Sequence, residues 1–111
     1  MKRYALGFYL HVPSGTHCHV RSTPVPTEFE SVWLHVPSVL GYYFVMHGVR
    51  VDGEATDAWG GAVLASCMGD GQARFDLSFR APAGSVVTLE IENIDIGQHH
   101  FRATLMGEVK L

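Results

Sequence analysis

From residue 72 onward the chain alternates apolar and polar residues with a period of two, and a helix cannot keep such a pattern on one side. Between Gln72 and Ala81, the residues Ala73, Phe75, Leu77, Phe79 and Ala81 fall on one face, and Gln72, Arg74, Asp76, Ser78 and Arg80 on the other. The turn sequence Ala81-Pro82-Ala83-Gly84 separates this predicted strand from a second, in which Val87, Leu89 and Ile91 alternate with Thr88, Glu90 and Glu92. Residues 93–98 make the next turn. A third strand follows, with Phe101, Ala103, Leu105 and Val109 opposed to Arg102, Thr104, Met106, Glu108 and Lys110.

The first half obeys the same rule with more interruptions. Tyr4, Leu6, Phe8, Leu10 and Val12 share a strand face that ends at Pro13-Ser14-Gly15, and a short strand is expected from His17 to Ser22. Pro24 and Pro26 favour an extended crossing outside any ladder. Phe29 to Val36 reads as a strand stopped by Pro37. The nearly continuous apolar run from Gly41 to Val51 predicts a central strand covered on both sides. Asp52 to Gly61 is the longest polar loop, and the Ala-rich stretch from Gly61 to Met68 is either a weak strand or a helical turn. The words Leu10-His11-Val12-Pro13-Ser14 and Leu34-His35-Val36-Pro37-Ser38 match, but their flanks do not, so they read as two similar strand ends.

About eight short strands with Pro- and Gly-marked connections predict an all-β fold. Residues 1–111 are expected to form one antiparallel β-sandwich domain, jelly-roll-like, with an immunoglobulin-like topology still open. Only 17% of the residues are charged against 47% hydrophobic, which excludes a disordered chain and implies some adhesive surface. The formal charge of -3 and the scattered Lys and Arg argue against direct nucleic-acid binding and against a polybasic membrane anchor. No run reaches the roughly 18 apolar residues of a membrane span. Residues 1–13 lack the small-residue cleavage site of a secretory leader, so they are expected to belong to the folded domain, and Cys18 and Cys67 to be thiols more readily than a disulfide.

Seven histidines make metal binding the main chemical alternative. In a strand, His17 and His19 share a face with Cys18 opposite, whereas the neighbours His99 and His100 point to opposite sides and cannot readily share an ion. His17, His19 and His99 are the candidate ligands, with His47 and His100 available, for zinc or for copper in a cupredoxin-like sandwich. The spacing of Cys67, His99 and Met106 departs from the closing ligand loop of blue copper. Asp52, Glu54 and Asp57 offer oxygens but lack the calcium-loop pattern and read as a solvated turn. Trp59 before Gly60-Gly61 suits a small carbohydrate-binding module. No nucleophile elbow, protease cysteine signature or phosphate-binding glycine motif is present, so no enzyme and no cofactor is expected.

Four stretches carry a resemblance. Phe29-Glu30-Ser31-Val32-Trp33-Leu34-His35-Val36-Pro37 precedes Tyr42-Tyr43-Phe44-Val45-Met46-His47-Gly48-Val49-Arg50-Val51-Asp52-Gly53. Near the end, Val87-Thr88-Leu89-Glu90-Ile91-Glu92-Asn93 precedes Phe101-Arg102-Ala103-Thr104-Leu105-Met106-Gly107. Over about half its length the chain thereby resembles small single-jelly-roll proteins associated with phage particles, through strand words and not through catalytic motifs. The resemblance implies a structural, self-associating subunit of a virion or similar assembly, with copies of itself and other virion proteins as partners. Trp33, Tyr42, Tyr43, Phe44 and Trp59 are the interface candidates.

Overall fold

The structure, a computed structural model, describes residues 2–56, 61–68 and 75–110. The strands in chain order are β1 (Lys2–Val12), β2 (His17–Arg21), β3 (Phe29–His35), β4 (Phe44–Val51), β5 (Glu54–Ala55), β6 (Val63–Leu64), β7 (Phe75–Asp76), β8 (Arg80–Ala81), β9 (Val87–Asn93) and β10 (His99–Val109). All pairings are antiparallel, and they build two sheets packed as a sandwich. The first sheet runs β1-β10-β3, with β7 and β8 both on the outer edge of β3. The second runs β2-β9-β4, with β5 and β6 both on β4. Among the described residues no helix is long and apolar enough to cross a membrane.

The period-two pattern sorts side chains as expected in the long strands. Leu6, Phe8 and Val12 from β1, Phe101, Ala103, Leu105 and Val109 from β10, and Val87, Leu89 and Ile91 from β9 all point into the core. Each fully buried Phe or Leu there stabilises the fold by roughly 1.5–3 kcal/mol. Edge-to-face contact between Phe44 and Phe101, with ring centroids 5.1 Å apart, ties the two sheets together. Buried polar groups are partnered: among the described residues no buried side-chain nitrogen or oxygen lacks a hydrogen bond.

Four expectations are corrected in detail. The run through Val51 is not covered on both sides. β4 begins only at Phe44 and buries Phe44, Met46 and Val49, while Val45, His47 and Arg50 are partly exposed on its other face. Its phase changes because His47 is an extra residue between Met46 and Gly48, which pair with Ile91 and Glu90 of β9. Asp52 does not open a long loop. Asp52 and Gly53, with φ of 50° and 83°, make the tight turn of a hairpin that returns as β5, and the Asp52 carboxylate accepts from Val86 N at 2.9 Å. From 61 to 68 the chain is both things at once, two residues of β6 followed by a 3₁₀ turn over Ala65–Met68. Finally, the strand expected up to Ala81 is broken into β7 and β8. Between them Ser31 donates to Leu77 O at 3.0 Å and accepts from Phe79 N at 2.8 Å, so a buried hydroxyl replaces part of the ladder. Residues 72–74 of that expected strand lie outside the described residues.

Candidate functional site

Chemistry-bearing side chains gather on the outer face of the β2-β9-β4 sheet. In β2, Val20 is buried and Cys18 half-buried toward the core, so His17 and His19 project outward. His17 lies opposite Glu92 and His19 opposite Glu90 in the ladder with β9. In β4 the buried Phe44 and Met46 leave His47, by alternation, on that same outer face. Three strands that are distant in sequence therefore deliver His17, His19, His47, Glu90 and Glu92 to one surface.

The contacts within this group are close. His17 Nε2 donates to Glu90 Oε2 at 2.8 Å, and His47 Nε2 donates to Glu92 Oε1 at 2.9 Å. The His17 and His47 rings stack with centroids 4.5 Å apart and planes inclined by 15°. His19 Nε2 stands 3.7 Å from Glu90 Oε1, and Arg50 Nε donates to that oxygen at 3.4 Å. Partial burial pushes the Glu90 carboxyl up, but hydrogen bonds from His17 and Arg50, with their charges, outweigh this and hold it below the usual glutamate range. One donor atom from each of His17, His47 and Glu92 lies within 4.8 Å of the other two. Beside the cluster an open groove of 490 Å³ is lined by His19, Arg21, Arg50, Asp52 and Thr88.

Of the sequence-predicted ligands, His17 and His19 thus share this face, and His99 does not. His99 belongs to the β9–β10 turn, where it donates to Asp95 Oδ2 at 2.6 Å and stacks flat on Tyr43 at 3.8 Å. His100 points away from it, sharing a hydrogen bond with Tyr9 Oη at 2.9 Å and packing on His11. Cys18 is a free thiol on the opposite side of β2 from both histidines, and burial raises its pKa, so it is kept away from an ion held by His17. That separates the structure from a blue-copper arrangement built on Cys18. Asp52 is engaged in its hairpin, and Asp57 lies outside the described residues. Glu92 is the member that sequence reasoning missed, and His47, only a further candidate there, is placed beside His17 by the fold. The signal lies in cross-strand register, which one sequence does not display.

The interface candidates separate as well. Tyr42 is exposed, Tyr43 is half-buried against His99, and Trp33 is half-buried in β3. Phe44 is a correction, because it is 0% exposed and packs on Phe101, leaving no surface for a partner. Trp59, and with it the carbohydrate-binding reading, lies outside the described residues. In comparisons with known proteins, the chain matches no protein-family model and no curated protein.

The Asp95–His99 pair gives a first prediction. The hydrogen bond from His99, ahead of the opposing cost of burial and with help from the Ile96 and Gly97 amides, holds the Asp95 carboxyl below its ordinary value. A carboxyl with a folded pKa below its unfolded value of about 3.9 stabilises the fold above that value and ceases to do so as pH falls through the folded pKa. Asp95→Asn is therefore expected to melt below the wild type at neutral pH, with the gap narrowing once the pH falls under about 4. Thermal melts of both proteins at pH 7, 5 and 3 check this; a gap that stays constant with pH removes the pair from the account.

Proposed function

We propose that this chain is a non-enzymatic structural subunit of the jelly-roll kind that associates with copies of itself in an ordered assembly, with a phage or virus-like particle as its setting. The strand order supports this reading: β1-β10-β3 with β7 and β8, facing β2-β9-β4 with β5 and β6, is compatible with the interleaved Greek keys of a jelly roll. The chain changes sheet at each step from β1 to β4, between β6 and β7, and at each step from β8 to β10, and the first and last strands lie side by side. The resemblance to phage-associated jelly rolls points the same way.

The observation that carries self-association is the end of the sandwich where three connections meet. Ser14 Oγ donates to Asp95 O at 2.6 Å, and Ile94 N donates to Tyr43 O at 2.8 Å, so the β1–β2, β3–β4 and β9–β10 connections form one surface. From it Val39, Tyr42, Ile94 and Ile96 project at 64%, 77%, 48% and 97% exposure. Four large apolar side chains on loops that have no packing use for them are characteristic of a surface completed by a neighbour. A virion location and contacts with other virion proteins follow from this reading.

Sedimentation of the purified chain over a hundredfold range of concentration tests it. The wild type is expected to form a discrete or larger assembly, and the double variant Tyr42→Ser, Ile96→Asp to associate at least about tenfold more weakly while keeping its melting temperature. A wild-type monomer at every concentration would sink the reading.

A further inference from the structure

The outer face of the β2-β9-β4 sheet holds a donor set that hydrogen bonding within a sandwich does not require. We propose that His17, His47 and Glu92 form a binding site for one divalent transition-metal ion of the zinc class, with Glu90 anchoring His17. Two imidazoles and one carboxylate are a recurrent protein ligand set for such an ion, and they leave a fourth position open for water or another ligand. Hard cations such as calcium and magnesium prefer oxygen, which makes two histidines a poor set for them.

The geometry is close to what coordination needs. Bonds of about 2.0–2.1 Å place tetrahedral ligand atoms about 3.3 Å apart. The three donors already fall within 4.8 Å of one another, and His47 Nε2 and Glu92 Oε1 are 2.9 Å apart. Closing the remaining distance takes side-chain rotation alone, because His17 is about half exposed and free of core packing. The backbone positions are fixed by ladder pairing, His17 opposite Glu92 and Val45 opposite Glu92 on the other side. His47 follows the buried Met46 and so faces outward by strand alternation, at the β-bulge between the residues that pair with Ile91 and Glu90.

The surroundings supply the supporting contacts. Metal-bound histidines are ordinarily held by a carboxylate behind them, and Glu90 does this for His17 at 2.8 Å while Arg50 steadies Glu90 at 3.4 Å. The stacked His17 and His47 rings bring two imidazoles to one point with no lysine or arginine between them. Another histidine pair, His11 and His100, lies on the opposite sheet beside Tyr9, with no ion pair to a carboxylate among the described residues, and serves as an internal control. The site does not depend on self-association, since all its members come from one chain.

The test uses the full chain, stripped with chelator and titrated with zinc by calorimetry and with cobalt by visible absorption. One ion per chain is expected, with the cobalt form showing the intense bands of a four-coordinate site. His47→Gln and Glu92→Gln are each expected to weaken binding at least about tenfold, and His100→Gln to leave it unchanged. Circular dichroism of each variant secures the fold, and His17→Gln provides a second ligand variant should one of the others fail to fold. Absence of zinc binding, binding that survives the ligand variants, or half an ion per chain would each overturn the site, the last by placing the ion between copies.

Discussion

Gly107→Ala is expected to lower the unfolding free energy by about 3 kcal/mol, at the upper end of what overpacking costs, and to lower the melting temperature by roughly 10 °C or more. Gly107 occupies an inward position of β10, between Leu105 and Val109, where the alternation calls for a large apolar side chain. The space is taken instead by Phe29 of the neighbouring strand. A methyl group at 107 would meet the Phe29 ring at 2.5 and 2.6 Å and press on the Glu30 carbonyl oxygen as well. The ring cannot retreat, because it is fully buried and Tyr4 packs against it edge-on at 6.4 Å. Gly107 also sits at the register shift in which Ser31 and Trp33, not consecutive residues, pair with Gly107 and Met106, so the ladder has little freedom to move away. Chemical denaturation of Gly107→Ala, Phe29→Leu and the double variant measures the coupling. The smaller side chain is expected to recover part of the loss caused by the methyl group, with the Glu30 carbonyl clash remaining. If the two costs simply add, Phe29 is not what excludes a side chain at 107.

The same shift shows why some of the fold could be read from the sequence and some could not. β1, β9 and β10 alternate without interruption along their inward positions, and their side chains point where a period of two puts them. In β3 the inward set is Phe29 and Ser31, then Leu34 and Val36, because Val32 is inserted between the residues that pair with β10. In β4 it is Phe44 and Met46, then Val49, because His47 is inserted. A single inserted residue reverses which face every later side chain occupies, and it leaves only a broken alternation in the sequence. In the sequence, an apolar run with broken alternation therefore reads as a strand covered on both sides. The histidine cluster depends on register instead. That His17 and His19 share a face follows from strand geometry alone, whereas adding His47 and Glu92 requires the registers of β2 and β4 against β9, which are long-range pairings. His99 reads in the sequence as a candidate ligand at the start of a strand. Its place is set by Asp95 four residues earlier and by the Tyr43 ring, neither of which creates a pattern along its own strand.

Replacing Asn93 by alanine is expected to cost about 2–4 kcal/mol. The residue is fully buried at the last position of β9. Its amide nitrogen donates to Gly97 O at 2.9 Å, Val12 O at 3.2 Å and Pro13 O at 3.4 Å, and its carbonyl oxygen accepts from Asp95 N at 2.9 Å. One side chain thus joins the end of β1 to the turn that carries Ile94 and Ile96. Three acceptors surround the nitrogen, which fixes the orientation of the amide. Alanine removes all of these bonds at once and leaves buried backbone groups to find water or remain unpaired. Asn93→Asp distinguishes this role from simple packing, since the two side chains have nearly the same shape. An ionised carboxylate at 93 would face carbonyl oxygens in a site without solvent, so its folded pKa must lie above the unfolded value of about 3.9. The destabilisation is then greatest at neutral pH and shrinks as the pH falls toward 4, where the protonated acid can donate one of the lost bonds. The deficit of Asn93→Ala relative to the wild type is expected to stay nearly constant over the same range. Denaturant melts of both variants against the wild type at pH 7 and pH 4 give the comparison. Equal, pH-independent losses for alanine and aspartate would mean that Asn93 fills space and that its hydrogen bonds do not hold the two connections together.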